Sequence, residues 1–170
     1  MEAGSIPAAV DAFTERNDPP LFIVTTADAD GERSGCLAGF VTQCSIGPPR
    51  FLVCLSKLNH TYFTSERAKS VAVHLLGQDQ VALASLFAEY TGDTYDKFAH
   101  CEWEPHADGV PVLEHCAAWL SGPILDRFSV GDHEALLMSP VEGGAGDNSN
   151  GLLTLRDIPG DLHPGHPAAP

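Results

Sequence analysis

Short apolar runs cut by glycine and proline govern what this chain can fold into. Sixteen Gly and 13 Pro are spread over 170 residues, which implies many turns and hence a β-rich chain with a loose tail. The runs between them read in order. Ser5 can cap an opening helix, Pro7 suits its first turn, and Ile6, Val10 and Phe13 share one side before Asn17-Asp18-Pro19-Pro20 stops it. Leu21 to Thr26 is a β-branched strand, and Asp28-Ala29-Asp30-Gly31 turns it back as a hairpin into a strand over Gly35 to Ser45. Glycine inside a strand, as at Gly35 and Gly39, marks a bulge or a place where a ligand approaches the backbone. After Gly47-Pro48-Pro49 come a strand at Phe51 to Leu55, a short helix at Tyr62 to Ala68, and a strand at Val71 to Leu76. Asp79 can cap a helix to about Tyr90, with Leu83, Leu86, Phe87 and Tyr90 on one face and Thr91-Gly92-Asp93 as its stop.

From Trp103 onward strands alternate with turns at Pro105 to Gly109, Gly122-Pro123 and Gly131-Asp132. The strands expected there are Val112 to Leu120, Ile124 to Phe128 and Glu134 to Val141. Gly143 to Asn148 reads as loop, Leu152 to Arg156 as a last strand, and His163 to Pro170 as too rich in Pro and Gly to pack. The expectation is a mainly β protein, an antiparallel barrel or sandwich with two or three helices. Residues 1–157 form its domain and 158–170 a flexible Pro/Gly-rich tail.

Charge removes whole classes of partner. Nine Lys+Arg against 23 Asp+Glu leaves a net charge of −14, which excludes the basic footprint of a nucleic-acid binder and disfavours an anionic membrane surface. With only 19% charged residues and 44% apolar, the same balance does not imply disorder. The five cysteines form no CxxC pair, no apolar stretch reaches the length of a membrane span, and the first residues have no signal-peptide pattern. A cytoplasmic protein with reduced thiols is the expectation.

The chain carries no nucleophile elbow, zinc helix, P-loop or dinucleotide turn. His100-Cys101 and His115-Cys116 invite a metal reading. Neighbours on a strand face opposite ways, however, so no metal site is expected. Cys36, Cys44 and Cys54 fit small buried groups in strands, although Cys44 could touch a ligand by position. His133, after Gly131-Asp132, sits where an aspartate can orient an imidazole, and equally where a loop histidine is merely solvated.

Six segments in order carry a resemblance. Gly35-Cys36-Leu37-Ala38-Gly39-Phe40-Val41-Thr42-Gln43-Cys44-Ser45-Ile46-Gly47-Pro48-Pro49 resembles the G-[MF]-T-[AV]-S-S-F-x-S-V-S-x-x-P-P stretch of flavin reductase-like proteins. Ser56 with Asn59-His60-Thr61 follows, then Gln80 with Leu83-Ala84 and Phe87, and Asp96-Lys97-Phe98. Gly109 to Leu113 and Gly131-Asp132-His133 complete the order, and together they cover about residues 8–156.

The resemblance implies an FMN-binding split β-barrel with Greek-key connections, usually a homodimer with one flavin per subunit near the interface. It implies that Leu37, Ala38, Gly39, Phe40, Cys44 and Ser45 line the isoalloxazine ring. Ser56, Asn59, His60 and Thr61 would hold the ribityl chain and phosphate, and Lys97 and Phe98 would border the site. His133 would help position the nicotinamide or hydrogen-bond the flavin, as the catalytic-site residue. The implied activity is that of an NAD(P)H:flavin reductase, passing hydride from NADH or NADPH to FMN (or FAD) and supplying reduced flavin to a partner monooxygenase. Leu37, Gly39 and Phe40 depart from the pattern, which implies the loss of two hydroxyl contacts to the flavin. That departure keeps open a weakly held, diffusible flavin and a deazaflavin cofactor. Two further readings stay open: a non-catalytic flavin- or tetrapyrrole-binding module of the same fold, and an oxidoreductase that keeps its flavin tightly and reduces some other small molecule. An anionic cofactor in a chain of −14 must rely on local amides, hydroxyls and a few cations.

Overall fold

Strand β8 (Ala118–Ser129) decides the architecture, because it belongs to two sheets. Its first half pairs with β5 (Ala68–Leu75) and β10 (Glu142–Ala145), and its second half with β9 (His133–Met138). The change falls at Gly122-Pro123, where a register shift follows between Ile124 and Asp126. This segment was expected to be a turn; the strand bends through it instead. Gly122 makes the bend possible, since a Cβ there would lie 1.9 Å from the Ser139 carbonyl oxygen.

The structure, a computed structural model, describes residues 5–90, 94–146 and 150–158. Around β8 the path runs β2 (Arg33–Ala38), β1 (Phe22–Asp28), β5, β8, β9, β4 (Arg50–Ser56), β3 (Val41–Ser45), all antiparallel. A small β6–β7 pair (Trp103–Pro105 with Pro111–Leu113) lies beside it. The end strands β2 and β3 are consecutive in the chain yet unpaired, so the barrel is split there. Three helices stand among the described residues: α1 (Ile6–Asn17), α2 (His60–Ser65) and α3 (Val81–Glu89).

Both faces of β1 and β5 are covered. Val24, Cys36, Val53, Leu55, Val71, Val73, Leu136 and Met138 fill the barrel. Leu21, Ile23, Leu76, Phe87, Phe98, Leu113 and Leu153 form a second core outside it, under α3. Burial on both sides is why these strands read as continuous β-branched runs rather than as alternating patterns. The buried hydroxyls are paired; Thr26 Oγ1 donates to the Ser70 carbonyl at 2.7 Å.

Several sequence expectations are corrected. Gly35 to Ser45 is two strands, broken at Gly39-Phe40 where the chain leaves one sheet for the other. The helix expected at Tyr62 to Ala68 starts at His60 and ends at Ser65, because Asn59 caps it through Thr61 N. Gly143 to Ala145 pairs with β8 and is not a loop, since glycine alone fits against Trp119 and Leu120. Leu152 to Arg156 makes only isolated bridges before a short 3-10 turn at Leu155–Asp157. Neither Ser5 nor Asp79 caps a helix by its side chain. The helix stop at residues 91–93, the loop at residues 147–149 and the tail from residue 159 lie outside the described residues.

Candidate functional site

The corner between β2 and β3 meets the ends of β4 and β9, and of the expected residues Gly39, Phe40, Ser56 and His133 come together there. Val53 and Leu55 point into the barrel, so alternation turns Cys54 and Ser56 outward. Across the ladder Cys54 pairs with Ala135 and Ser56 with His133, which puts all four on the outer face. Val41 packs inward, leaving the preceding Phe40 outward; the Phe40 carbonyl accepts from Cys54 N at 2.9 Å. The Phe40 ring leans on His133, with ring centroids 5.3 Å apart and planes inclined at 60°.

His133 is held from two sides. Its Nδ1 lies 2.8 Å from Asp132 Oδ1, and the imidazole beside it holds the Asp132 carboxyl below the usual range. The turn before it is pinned by Lys57. The Lys57 amide donates to the Asp132 carbonyl, and its Nζ lies 2.6 Å from both Ser129 Oγ and the Gly131 carbonyl. Sequence reasoning missed Lys57. Its place just after Ser56 is the only local cue, and its side-chain partners lie 72 and 74 residues away.

At the start of α2 the polar groups are largely committed within the chain. Asn59 N donates to the Ser56 carbonyl, Thr61 N to Asn59 Oδ1 and Tyr62 N to the Asn59 carbonyl. Thr61 is buried, and its hydroxyl shares a 2.9 Å bond with Ser34 Oγ. His60 Nε2 lies 2.9 Å from Glu32, whose other oxygen meets Arg67; Arg67 also clamps Asp28. A phosphate here would have to exchange with these bonds.

The remaining expected residues are not brought to this corner. The Lys97 amine is buried and donates to the carbonyls of Gly35 (2.9 Å) and Phe87 (3.1 Å), tying β2 to the end of α3 from behind; burial pushes its pKa down. Phe98 packs edge-on to Phe87 and Trp103 in the outer core. Leu37 packs on that core and Ala38 on the barrel core, each half-buried. Cys44 and Ser45 lie at the far end of β3, where Ser45 pairs with Arg50. Four residue steps along β4 lead from that point to Cys54, about 13 Å.

The thiols are quiet. Desolvation raises the pKa of Cys36, Cys54, Cys101 and Cys116, the last two to about 11. Cys44 is exposed, contrary to the buried role expected from its strand, because β3 is an edge. Cys101 and Cys116 belong to the outer core, while His100 and His115 are exposed. Donor atoms of Glu102, Glu114 and His115 come within 4.8 Å of one another; all three are exposed, and His115 Nε2 lies 2.8 Å from Glu102 and 3.8 Å from Glu114. A cavity of about 690 Å³ lined by Asp79, Glu104, His106 and Trp119 contains none of the expected site residues.

A split antiparallel barrel with an aromatic, hydrogen-bonded corner at its seam defines a class of small-ligand-binding β proteins. The sequence model of the flavin reductase like domain matches residues 15–160, and the chain belongs to that family. It is 32% identical over 152 residues to the NADH:riboflavin 5'-phosphate oxidoreductase of Streptomyces pristinaespiralis, covering 89% of this chain and 84% of that protein. It is also 32% identical over 130 residues to a Rhizobium meliloti (strain 1021) protein named "Probable flavin reductase". That match covers 76% of this chain but spans only 40% of the relative's length. Among solved structures, the flavin reductase domain protein from Arthrobacter sp. FB24 superposes with a TM-score of 0.73 at 27% identity, covering 84% of this chain and 86% of that one. No helix among the described residues is long and apolar enough to cross a membrane.

Proposed function

We propose that this chain is an NADH-dependent flavin reductase that takes FMN or FAD and delivers reduced flavin to a partner monooxygenase. The observation that carries this reading is the Phe40–His133 pair above Cys54 and Ser56, at the seam of a barrel in a flavin reductase family. Flavin, when bound, supplies a hydride acceptor, and the work left to the protein is to hold two rings in contact. Phe40 offers an exposed aromatic face, half-buried Cys54 an uncharged surface beside it, and β2, an end strand of the sheet, backbone groups for the ring edge. Asp132 and Lys57 fix the ring of His133 beside it. NADH over NADPH follows the name of the Streptomyces relative and the acidic field of the chain.

The fit to a planar ring is better than the fit to phosphate, because the amides of Asn59, Thr61 and Tyr62 already have partners. This supports a diffusible flavin used as co-substrate over a tightly resident one. Exposed Ile6, Phe13 and Ile46 support a homodimer, and five free thiols support a reducing, cytoplasmic setting. Anaerobic mixing with FMN and NADH should bleach the flavin absorbance. Nicotinamide oxidation no faster than in the protein-free control, with FMN and with FAD, would overturn the reading.

A further inference from the structure

We propose that Phe40 is a specificity-determining residue for the ring system that binds at the β2–β3 corner, acting as a stacking wall rather than as a hydrogen-bonding one. This rests on the flavin reading above. The corner position is one where a small polar residue is expected from the resemblance, and here it carries a phenylalanine that is 57% exposed. An aromatic ring left this open in a described fold has most of its surface available to a ligand. Among the described residues its ring contact is with His133, inclined rather than stacked, so a face of Phe40 remains uncovered.

The surroundings share that character. Register places Phe40, Cys54, Ala135 and Phe128 in one row across four neighbouring segments of the outer face. Two small residues thus lie between two half-exposed phenylalanines, separated by three strand spacings, about 14 Å. Gly39 adds to the opening. It has neither a left-handed φ nor a crowding neighbour, and a Cβ there would meet only Leu21 Cδ2 at 4.0 Å. Among the described residues nothing crowds position 39, so a flat ligand can approach the backbone there. A hydroxyl at position 40 would offer one directional bond. A phenyl ring instead selects by shape and polarisability, for extended planar rings and without regard to what hangs from them.

The test compares direct binding of riboflavin and FMN, read by quenching of flavin fluorescence without nicotinamide, in the wild type, Phe40→Ser and Phe40→Tyr. Phe40→Ser should weaken riboflavin and FMN by the same factor, about tenfold, and Phe40→Tyr should restore both. Thermal melting should be unchanged, because the side chain is largely exposed. If the wild type binds flavin and Phe40→Ser binds it equally or more tightly, the role of Phe40 is overturned while the flavin reading stands. A loss confined to FMN, or a change in sedimentation with unchanged flavin affinity, overturns it too, the latter assigning Phe40 to contact with a second copy. Absence of both flavin binding and NADH oxidation in the wild type overturns the flavin reading itself.

Discussion

Lys57 reaches from the end of β4 to Gly131, its Nζ 2.6 Å from that carbonyl, and so sets the turn that carries His133. The contact joins two residues that neither share an element nor lie near each other in sequence. Beside Asp132, which holds the imidazole directly, it makes the orientation of His133 a property of the β4–β9 ladder.

Lys57→Met should therefore impair turnover through geometry. The side chain is half-buried and its two hydrogen bonds lie at the surface, so the melting temperature should move by no more than about 4 °C. Steady-state kinetics with NADH as the varied substrate should show kcat/KM down by about tenfold, with flavin affinity nearly unchanged. An unchanged kcat/KM would remove Lys57 from any positioning role.

His74 predicts the pH dependence of stability. It is buried in β5, where Leu113 N donates to Nε2 at 3.0 Å and Nδ1 lies 2.9 Å from the Ile23 carbonyl, so the ring must be neutral with its proton on Nδ1. Desolvation lowers its pKa from 6.5 to about 4. Between those values the unfolded chain binds the extra proton, so stability falls as pH drops from about 6.5 to about 4 and this contribution levels off below. The full change is about 3 kcal/mol. Asp28, whose carboxyl Arg67 holds below the ordinary range, loses its contribution only at lower pH, so the two windows separate. Urea midpoints at pH 7, 5.5 and 4.5 should fall for the wild type and stay level for His74→Asn, which starts lower.

Gly122→Ala tests the shared strand. The new methyl would meet backbone atoms of Ser139 and Pro140 that cannot rotate away. The cost should exceed about 3 kcal/mol, a loss of roughly 10 °C in Tm or failure to fold. Gly39→Ala, where space is open, should melt within about 2 °C of the wild type. Equal melting of the two variants would mean that β8 does not bend as described.

Legibility followed the range of the forces involved. The Asp28 turn and the Phe51 to Leu55 strand were readable because a few adjacent residues set them. The break at Gly39-Phe40 was not, since the local pattern is strand on both sides and only the change of sheet separates them. At the site, Phe40, Ser56 and His133 were singled out from the sequence and meet at one corner, whereas Lys97, expected to border it, is buried between β2 and the end of α3. A lysine before a phenylalanine reads as surface, and only the carbonyls of Gly35 and Phe87, on other elements, explain its burial.

By itself the sequence determined that this is a punctuated, acidic, mainly β chain with a flavin reductase-like order of segments, because turn chemistry and spacing are local. The tertiary structure decided which of those segments share a face. Alternation and register turn Cys54, Ser56 and His133 outward together, and a bend at Gly122 closes two sheets onto one strand. Those outcomes depend on hydrogen bonds and packing between residues far apart in the chain, which no local pattern records.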